Sequence, residues 1–202
     1  FQAGDIAGAG TTGSGRAIAA MMIGADAVKN EITAHGRAVA ELYPEVRTVF
    51  EIGGQDSKII LIKDGYVRDF AMNTVCAAGT GSFLDRQAER MGIKTSDIGE
   101  LALRADMPAS IAGRCAVFAE SDIIHKQQMG VSMENILAGM CRALVRNYMS
   151  NVAKGKKLEP GFCFQGGVSC NGGIKKAFEE EIGAEVAIPE HNTVMGAVGA
   201  AI

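Results

Sequence analysis

The stretch over residues 48–72 constrains the fold more than any other part of the chain. Thr48-Val49-Phe50-Glu51-Ile52-Gly53 reads as a buried strand. An isoleucine-rich run follows over residues 57–63, turns at Asp64-Gly65 and returns over residues 66–72. An Asp-Gly pair between two such runs is a hairpin signal, because both turn positions favour residues that tolerate positive φ. Helices are expected over residues 15–22, 31–43 (stopped by Pro44), 80–91, 96–104, 117–128 and 173–182. The longest should run from a Ser132 cap to about Ala153, with Ile136, Met140, Ala143, Leu144 and Val152 on one buried face. Short strands are expected at residues 162–165 and 185–188, and a small-residue helix from Thr193. Residues 4–15 read as a Gly/Thr/Ser loop. Strands alternating with helices, plus one hairpin, predict an α/β protein with a mixed sheet. There is no internal repeat and no linker long enough to mark a flexible boundary.

Two strand-to-loop junctions carry paired glycines. In Glu51-Ile52-Gly53-Gly54-Gln55-Asp56-Ser57-Lys58 the glycines let consecutive N–H groups converge on a phosphate. Flanking Glu51, Gln55 and Asp56 are candidates to hold a hydrated Mg²⁺ or to orient a water. The other reading of the same run is an ordinary glycine turn with solvated polar residues. The second junction, Phe164 through Gly173, places Gly166, Gly167, Val168 and Asn171 where a nucleotide can sit at a helix start. Gly-Gly before a helix also serves close packing alone. Gly8-Ala9-Gly10-Thr11-Thr12-Gly13 matches the dinucleotide fingerprint, with Glu31 near the acidic position, but no core strand precedes it, so NAD is not expected. No Walker-type Gly-x-x-x-x-Gly-Lys-Ser/Thr is present, which excludes a P-loop ATPase.

Cys76 and Cys115 each stand just ahead of an expected helix. Helix N-termini favour a thiolate over a thiol, and thiolates bind iron–sulfur clusters and soft metals. A [4Fe–4S] cluster takes four such ligands. Two copies of the chain related by a two-fold axis would supply them, since an isologous interface brings the same patch together from both partners. The plainer reading is two buried small residues. Cys141 and Cys163 are most simply core, and Cys170 sits in a glycine loop. His35, His125 and His191 lack metal-ligand spacing and read as structural or solvent-facing.

The 202 residues carry a net charge of −3, which gives no electrostatic reason to expect nucleic acid or an anionic membrane as partner. No apolar run reaches the ~18 residues of a membrane span. Five cysteines, odd in number and irregularly spaced, fit a reducing cytoplasm better than a disulfide framework. The 26 glycines cluster in short loops, as where backbone approaches a ligand closely. The chain opens at Phe1 on a glycine-rich loop and reads as a domain of something longer.

With these segments in order, the sequence resembles the ATP-dependent activators of 2-hydroxyacyl-CoA dehydratases, a family that includes the ATPase subunits of benzoyl-CoA reductase. The resemblance rests on Thr12-Gly13-Ser14-Gly15-Arg16, Asn30-Glu31-Ile32-Thr33-Ala34-His35, the run from Glu51 to Lys58, Met72 to Leu84, Arg114 to Gln128, and Gly166-Gly167-Val168. Residues 120–128 further resemble large multidomain members. The resemblance implies an actin-like, hexokinase-type (ribonuclease H-like) ATPase fold lacking its N-terminal strand region. Residues 1–45 would then be a remnant of the first ribonuclease H-like subdomain, 46–190 the second, and 191–202 a helix packing back on the first. It also implies ATP and Mg²⁺ as cofactors, with Glu51 and Gln55 catalytic. Gly53, Gly54, Gln55 and Asp56 would serve the phosphates, and Gly166, Gly167, Val168 and Asn171 the adenosine side. Cys76 and Cys115 would share one [4Fe–4S] cluster across a homodimer, which delivers a low-potential electron to a dehydratase-type partner. Two departures stand out: the first phosphate loop of the family has no counterpart, and Glu51 stands where Asp is usual. A kinase-like phosphotransferase on the same fold and a non-catalytic docking module are the alternatives.

Overall fold

The protein is described by a computed structural model covering residues 6–73 and 77–202. Cys76 therefore lies outside the described residues. In chain order, β1 (Gly10–Thr11), α1 (Arg16–Ile23), β2 (Ala27–Val28) and α2 (Glu31–Leu42) come first. Strands β3 (Thr48–Ile52), β4 (Ser57–Lys63) and β5 (Tyr66–Asn73) follow, then α3 (Gly81–Met91), α4 (Ile98–Leu103), α5 (Ala116–Gln128) and α6 (Met133–Asn151). The chain continues through β6 (Phe162–Gln165), α7 (Gly172–Ile182), β7 (Val186–Ala187) and α8 (Met195–Ala201).

The main sheet has five strands in the order β5-β4-β3-β6-β7. The β3-β4-β5 meander is antiparallel, while β6 pairs with β3, and β7 with β6, in parallel. The sheet is thus mixed, as the sequence predicts. Asp64 (φ 53°) and Gly65 (φ 78°) both adopt positive φ, the conformation that joins β4 to β5 in a two-residue hairpin. Alternation along β3 and β4 assigns each residue to a layer. Phe50, Ile52 and Ile59 belong to a core built with α3 through α7, whereas Val49, Ile60 and Ile62 pack with Ile32, Ala38 and Val39 of α2 and Met195 at the start of α8. At the centre of the first layer Phe50 stacks on Phe178 with ring centroids 4.7 Å apart, and Tyr148 meets Phe50 edge-on at 5.8 Å.

Helix boundaries follow local chemistry. The Asn30 side chain accepts from the Ile32 N–H (2.8 Å) to open α2, Ser132 caps α6, and Asn171 caps α7. Glycines in the left-handed conformation end α3 at Gly92 and α7 at Gly183. The expected helix over residues 96–104 divides into a 3₁₀ turn at Thr95–Asp97 and the shorter α4. The expected loop over residues 4–15 contains β1, which pairs in parallel with β2 across α1. Two-residue strands carry no periodicity, so only the tertiary contact reveals them. Gly10 of the fingerprint run lies against the Ala200 carbonyl of α8, so its missing side chain serves packing. Among the described residues no helix is long and apolar enough to cross a membrane.

α2 and α8 touch backbone to backbone, with Gly199 seated on the Ala34 carbonyl where no Cβ fits. Gly199→Ala is expected to force the helices apart and destabilise the protein by about 1–3 kcal/mol. Urea unfolding would register this as a lower midpoint at unchanged slope.

Candidate nucleotide site

The polar centre of the molecule is a row of side chains crossing the sheet at the ends of its central strands. Gln165 of β6 is in register with Glu51 of β3, and Glu51 lies directly opposite Lys58 of β4. All three are buried, and Lys58 is wholly excluded from solvent. The Lys58 ammonium donates to Glu51 Oε2 at 2.9 Å and to Asp56 Oδ1 at 2.8 Å, and stands 3.4 Å from Glu31 Oε1 at the start of α2. One cation therefore faces three carboxylates. Burial pulls the Lys58 pKa down, but Glu51, Asp56 and Glu31 pull it up further, so the ammonium keeps its charge. Burial pushes the Glu51 carboxyl up to about 7, against the lowering pull of Lys58.

Helix α2 supplies a second contact to the same row. His35 lies one turn after Glu31, on the same helix face. Its Nδ1 meets the Gln165 side-chain nitrogen at 2.7 Å, an arrangement in which the amide donates and the ring is neutral. Burial and the nearby Lys58 charge lower its pKa to about 4. His35 is thus buried and structural, one of the two placements that the sequence left open. Lys58 is the buried charge that sequence reasoning passed over, at the head of an isoleucine-rich run. The signals that could have found it are its strand position opposite Glu51 and the i, i+4 spacing of Glu31 and His35.

The two glycine junctions meet around Glu51. Gly166 has φ 90°, and a Cβ there would lie 2.6 Å from Glu51 Oε1 and also meet the Ile52 carbonyl. Only glycine lets the second loop close onto this carboxylate. In the first loop the Gly53 N–H donates to the Asp56 carbonyl (3.0 Å), closing the turn. The Gly53 and Gly54 carbonyls accept from the first amides of α3, Gly81 at 2.9 Å and Ser82 at 2.7 Å. Gly54 and Gly167 are exposed and lie on the walls of one cleft of about 460 Å³. Leu84 and Val168 form its apolar wall, and Asp85, Thr95, Ser96 and Asn171 its polar one. Polar and apolar lining on this scale suits a nucleoside. Gln55 is exposed on the turn beside it. Asn171 lines the cleft while its side chain caps α7, and Cys170 is exposed at the same edge.

Cys115 is the N-cap residue of α5 and is half-buried as a free thiol. Cys141 and Cys163 are buried, and burial raises each thiol to about 12, in keeping with core roles. Among the described residues, no group of three or more His, Cys, Asp or Glu side chains is disposed to hold a metal ion. The buried Asn147 of α6 lies between the two cysteine segments. Its Nδ2 donates to the Arg114 carbonyl at 3.2 Å, and its Oδ1 is 2.9 Å from where a Cβ on Gly79 would stand. Arg90 of α3 and Glu120 of α5 form an ion pair that links the helices following the two cysteines.

A mixed sheet flanked by helices on both faces, with two glycine turns closing on a buried carboxylate beside a nucleoside-sized cleft, defines an ATPase of the actin-like fold. The model of the BadF/BadG/BcrA/BcrD ATPase family matches residues 1–202, and the chain belongs to that family. It is 36% identical over 178 residues to the (R)-2-hydroxyglutaryl-CoA dehydratase activating ATPase of Acidaminococcus fermentans, a match covering 88% of this chain and 68% of that protein. The solved structure of the (R)-2-hydroxyglutaryl-CoA dehydratase component A of that organism superposes with a TM-score of 0.93 at 35% identity, covering 100% of this chain and 76% of the other. The activator of the 2-hydroxyisocaproyl-CoA dehydratase from Clostridium difficile, solved with bound ADPNP, gives 0.90 at 34% identity and covers 100% and 74%.

A histidine held neutral in the fold contributes stability that is present above pH 6.5 and lost as pH falls through about 4. The stability difference between the wild type and His35→Asn should therefore shrink by about 3 kcal/mol between pH 7 and pH 4. Chemical denaturation at a series of pH values measures it, and a pH-independent difference would contradict a neutral buried ring. Glu51 acts in the opposite sense, its raised pKa favouring the fold at low pH, and drops out of the comparison.

Proposed function

We propose that the chain is an ATP-dependent activator module, in which nucleotide binding and hydrolysis drive a single electron toward a 2-hydroxyacyl-CoA dehydratase-type partner. The observation that carries this reading is the convergence of both glycine loops on the buried Glu51, with Gly54 and Gly167 of the same loops lining the cleft. Gly53 and Gly54, with Gln55 and Asp56, bring backbone close to the phosphates, and Gly166 and Gly167 form the loop on the adenosine side. Val168 and Asn171 face the adenosine side together with Leu84 and Asp85. Gln55, exposed at the tip of the turn, orients the attacking water. Glu51 accepts its proton, and a carboxyl near 7 is matched to that task at neutral pH. Lys58 uses one oxygen of Asp56, and the other, with the exposed Gln55 beside it, would fit a hydrated Mg²⁺, which would neutralise phosphate charge.

Cys115 at a helix N-terminus, with Cys76 ahead of α3, is a donor set that fits half of a [4Fe–4S] cluster, the group that would supply one-electron chemistry at low potential. A second copy of the chain would bring the other two thiolates. The exposed Val117 and Phe118 beside Cys115, 67% and 65% accessible, fit a surface that another copy covers. The route from nucleotide to cysteines is short: the Gly53 and Gly54 carbonyls hold the start of α3, a few residues beyond Cys76. A change in the turn that follows phosphate loss would therefore act on the start of α3. The names of the relatives support a dehydratase as the electron's destination.

Glu51→Gln should lower ATP turnover by about 100-fold or more while leaving the dissociation constant of ATP within about threefold, since it removes proton acceptance and keeps the shape. Phosphate release and equilibrium dialysis measure the two. Purified without oxygen, the wild type should carry about four irons per dimer, and Cys115→Ser should lose both iron and dimer while still binding ATP. A wild type that stays iron-free and monomeric after anaerobic reconstitution would falsify the cluster assignment.

A further inference from the structure

We propose that Lys58 is a positioning residue of the nucleotide site and the hub of a latch between helix α2 and the phosphate turn. The inference rests on the ATPase reading for its consequence in catalysis, but its geometry is independent of that reading. Lys58 reaches three separate pieces of chain from the middle of the sheet: Glu51 at the end of β3, Asp56 within the glycine turn, and Glu31 at the first residue of α2. Its own backbone is fixed, because the Tyr148 hydroxyl of α6 donates to the Lys58 carbonyl at 2.6 Å and β4 is paired on both sides.

Stability alone does not account for this arrangement. A fully buried ion pair gains little over apolar side chains of the same volume, because desolvation cancels most of the attraction. Here the balance is worse than a pair, because three acidic side chains crowd one ammonium and negative charge is in excess even with the Glu51 carboxyl pushed up by burial. The neighbouring strand positions on the same face, Ile60 and Ile62, show that the layer readily takes isoleucine. What the ammonium supplies, and an aliphatic side chain cannot, is a fixed point to which carboxylates from the turn and the helix are drawn. It sets the orientation of Glu51, whose other oxygen rests against Gly166, and of Asp56, whose Oδ1 would lie 3.2 Å from a Cβ on Gly53. Both glycine loops are therefore shaped around carboxylates that Lys58 holds.

The latch reaches further through Glu31. Helix α2 touches the polar row at two points one turn apart, Glu31 on Lys58 and His35 on Gln165. Any shift of α2 relative to the sheet is felt at the turn, and from there at the first amides of α3 through the Gly53 and Gly54 carbonyls.

Two substitutions test the proposal. Lys58→Arg keeps the charge but replaces a compact ammonium with a planar fork, which cannot sit at one point among three carboxylates. The folded variant should show kcat for ATP reduced about tenfold or more with KM changed less than about threefold, because positioning rather than binding is lost. Wild-type kcat in Lys58→Arg would mean that charge alone suffices and would overturn the positioning role. Glu31→Gln removes only the partly exposed outer carboxylate and should fold. In the nucleotide-free protein its Gly53, Gly81 and Ser82 amides should exchange with solvent about fivefold faster or more, while those of β3 are unchanged. Unchanged exchange at these three amides would overturn the latch, whether or not Lys58→Arg folds. A wild type that hydrolyses no ATP would sink the ATPase reading instead, and the exchange result would still decide for or against the latch.

Discussion

A lysine ammonium wholly removed from water can persist only where carboxylates surround it, and that requirement organises the centre of this protein. Lys58 and Glu51 occupy opposed positions on adjacent central strands, so the register of β3 against β4 is fixed by charge as well as by apolar packing. A slip of one residue in either strand would carry its charged side chain to the aromatic layer around Phe50 and Phe178 and leave the other without its partner. The antiparallel meander, the glycine turn at its end and the start of α2 are consequently placed by the same few atoms. Removing Lys58 would leave the buried Glu51 without its counter-charge, a cost of about 3–5 kcal/mol, well above that of a typical surface change.

Much of the scaffold was legible from sequence. The hairpin at Asp64-Gly65, the cap at Ser132, the stop before Pro44 and the buried face of α6 each depend on one or two residues with local consequences, and each stands where the pattern placed it. The glycine junctions were visible too, although their reason was only half visible. Paired glycines suggest backbone approaching a phosphate, whereas Gly166 also makes room for the Glu51 carboxylate. What sequence could not give were features made by distant contacts. β1 and β2 are two residues each and exist through their mutual pairing. Lys58 lies in an apolar run, where a lone charge looks like a strand edge rather than the middle of a sheet. The tether at Asn147, which lies between the two cysteine segments, involves residues 33 positions apart in its Arg114 contact.

That tether bears on how the glycine turn is connected to the starts of α3 and α5. Helix N-terminal amides are ordinarily free to stabilise an anion. In α3 two of them are committed to the Gly53 and Gly54 carbonyls, so the helix start serves as a mechanical link to the turn more than as a source of positive potential. Cys115 differs. Among the described residues, the first turn of α5 makes no comparable contact with the nucleotide loops, and Cys115 is held through its neighbours instead. The Arg114 carbonyl accepts from Asn147, and the Ala112 N–H donates to Asp122 Oδ2 at 2.8 Å. The start of α3 is therefore tied to the glycine turn as well as to α6, where Asn147 also meets Gly79, while Arg114 ahead of α5 is tied to α6. A shift of the turn would act directly on the first amides of α3 and reach α5 by way of Asn147 and the Arg90–Glu120 ion pair.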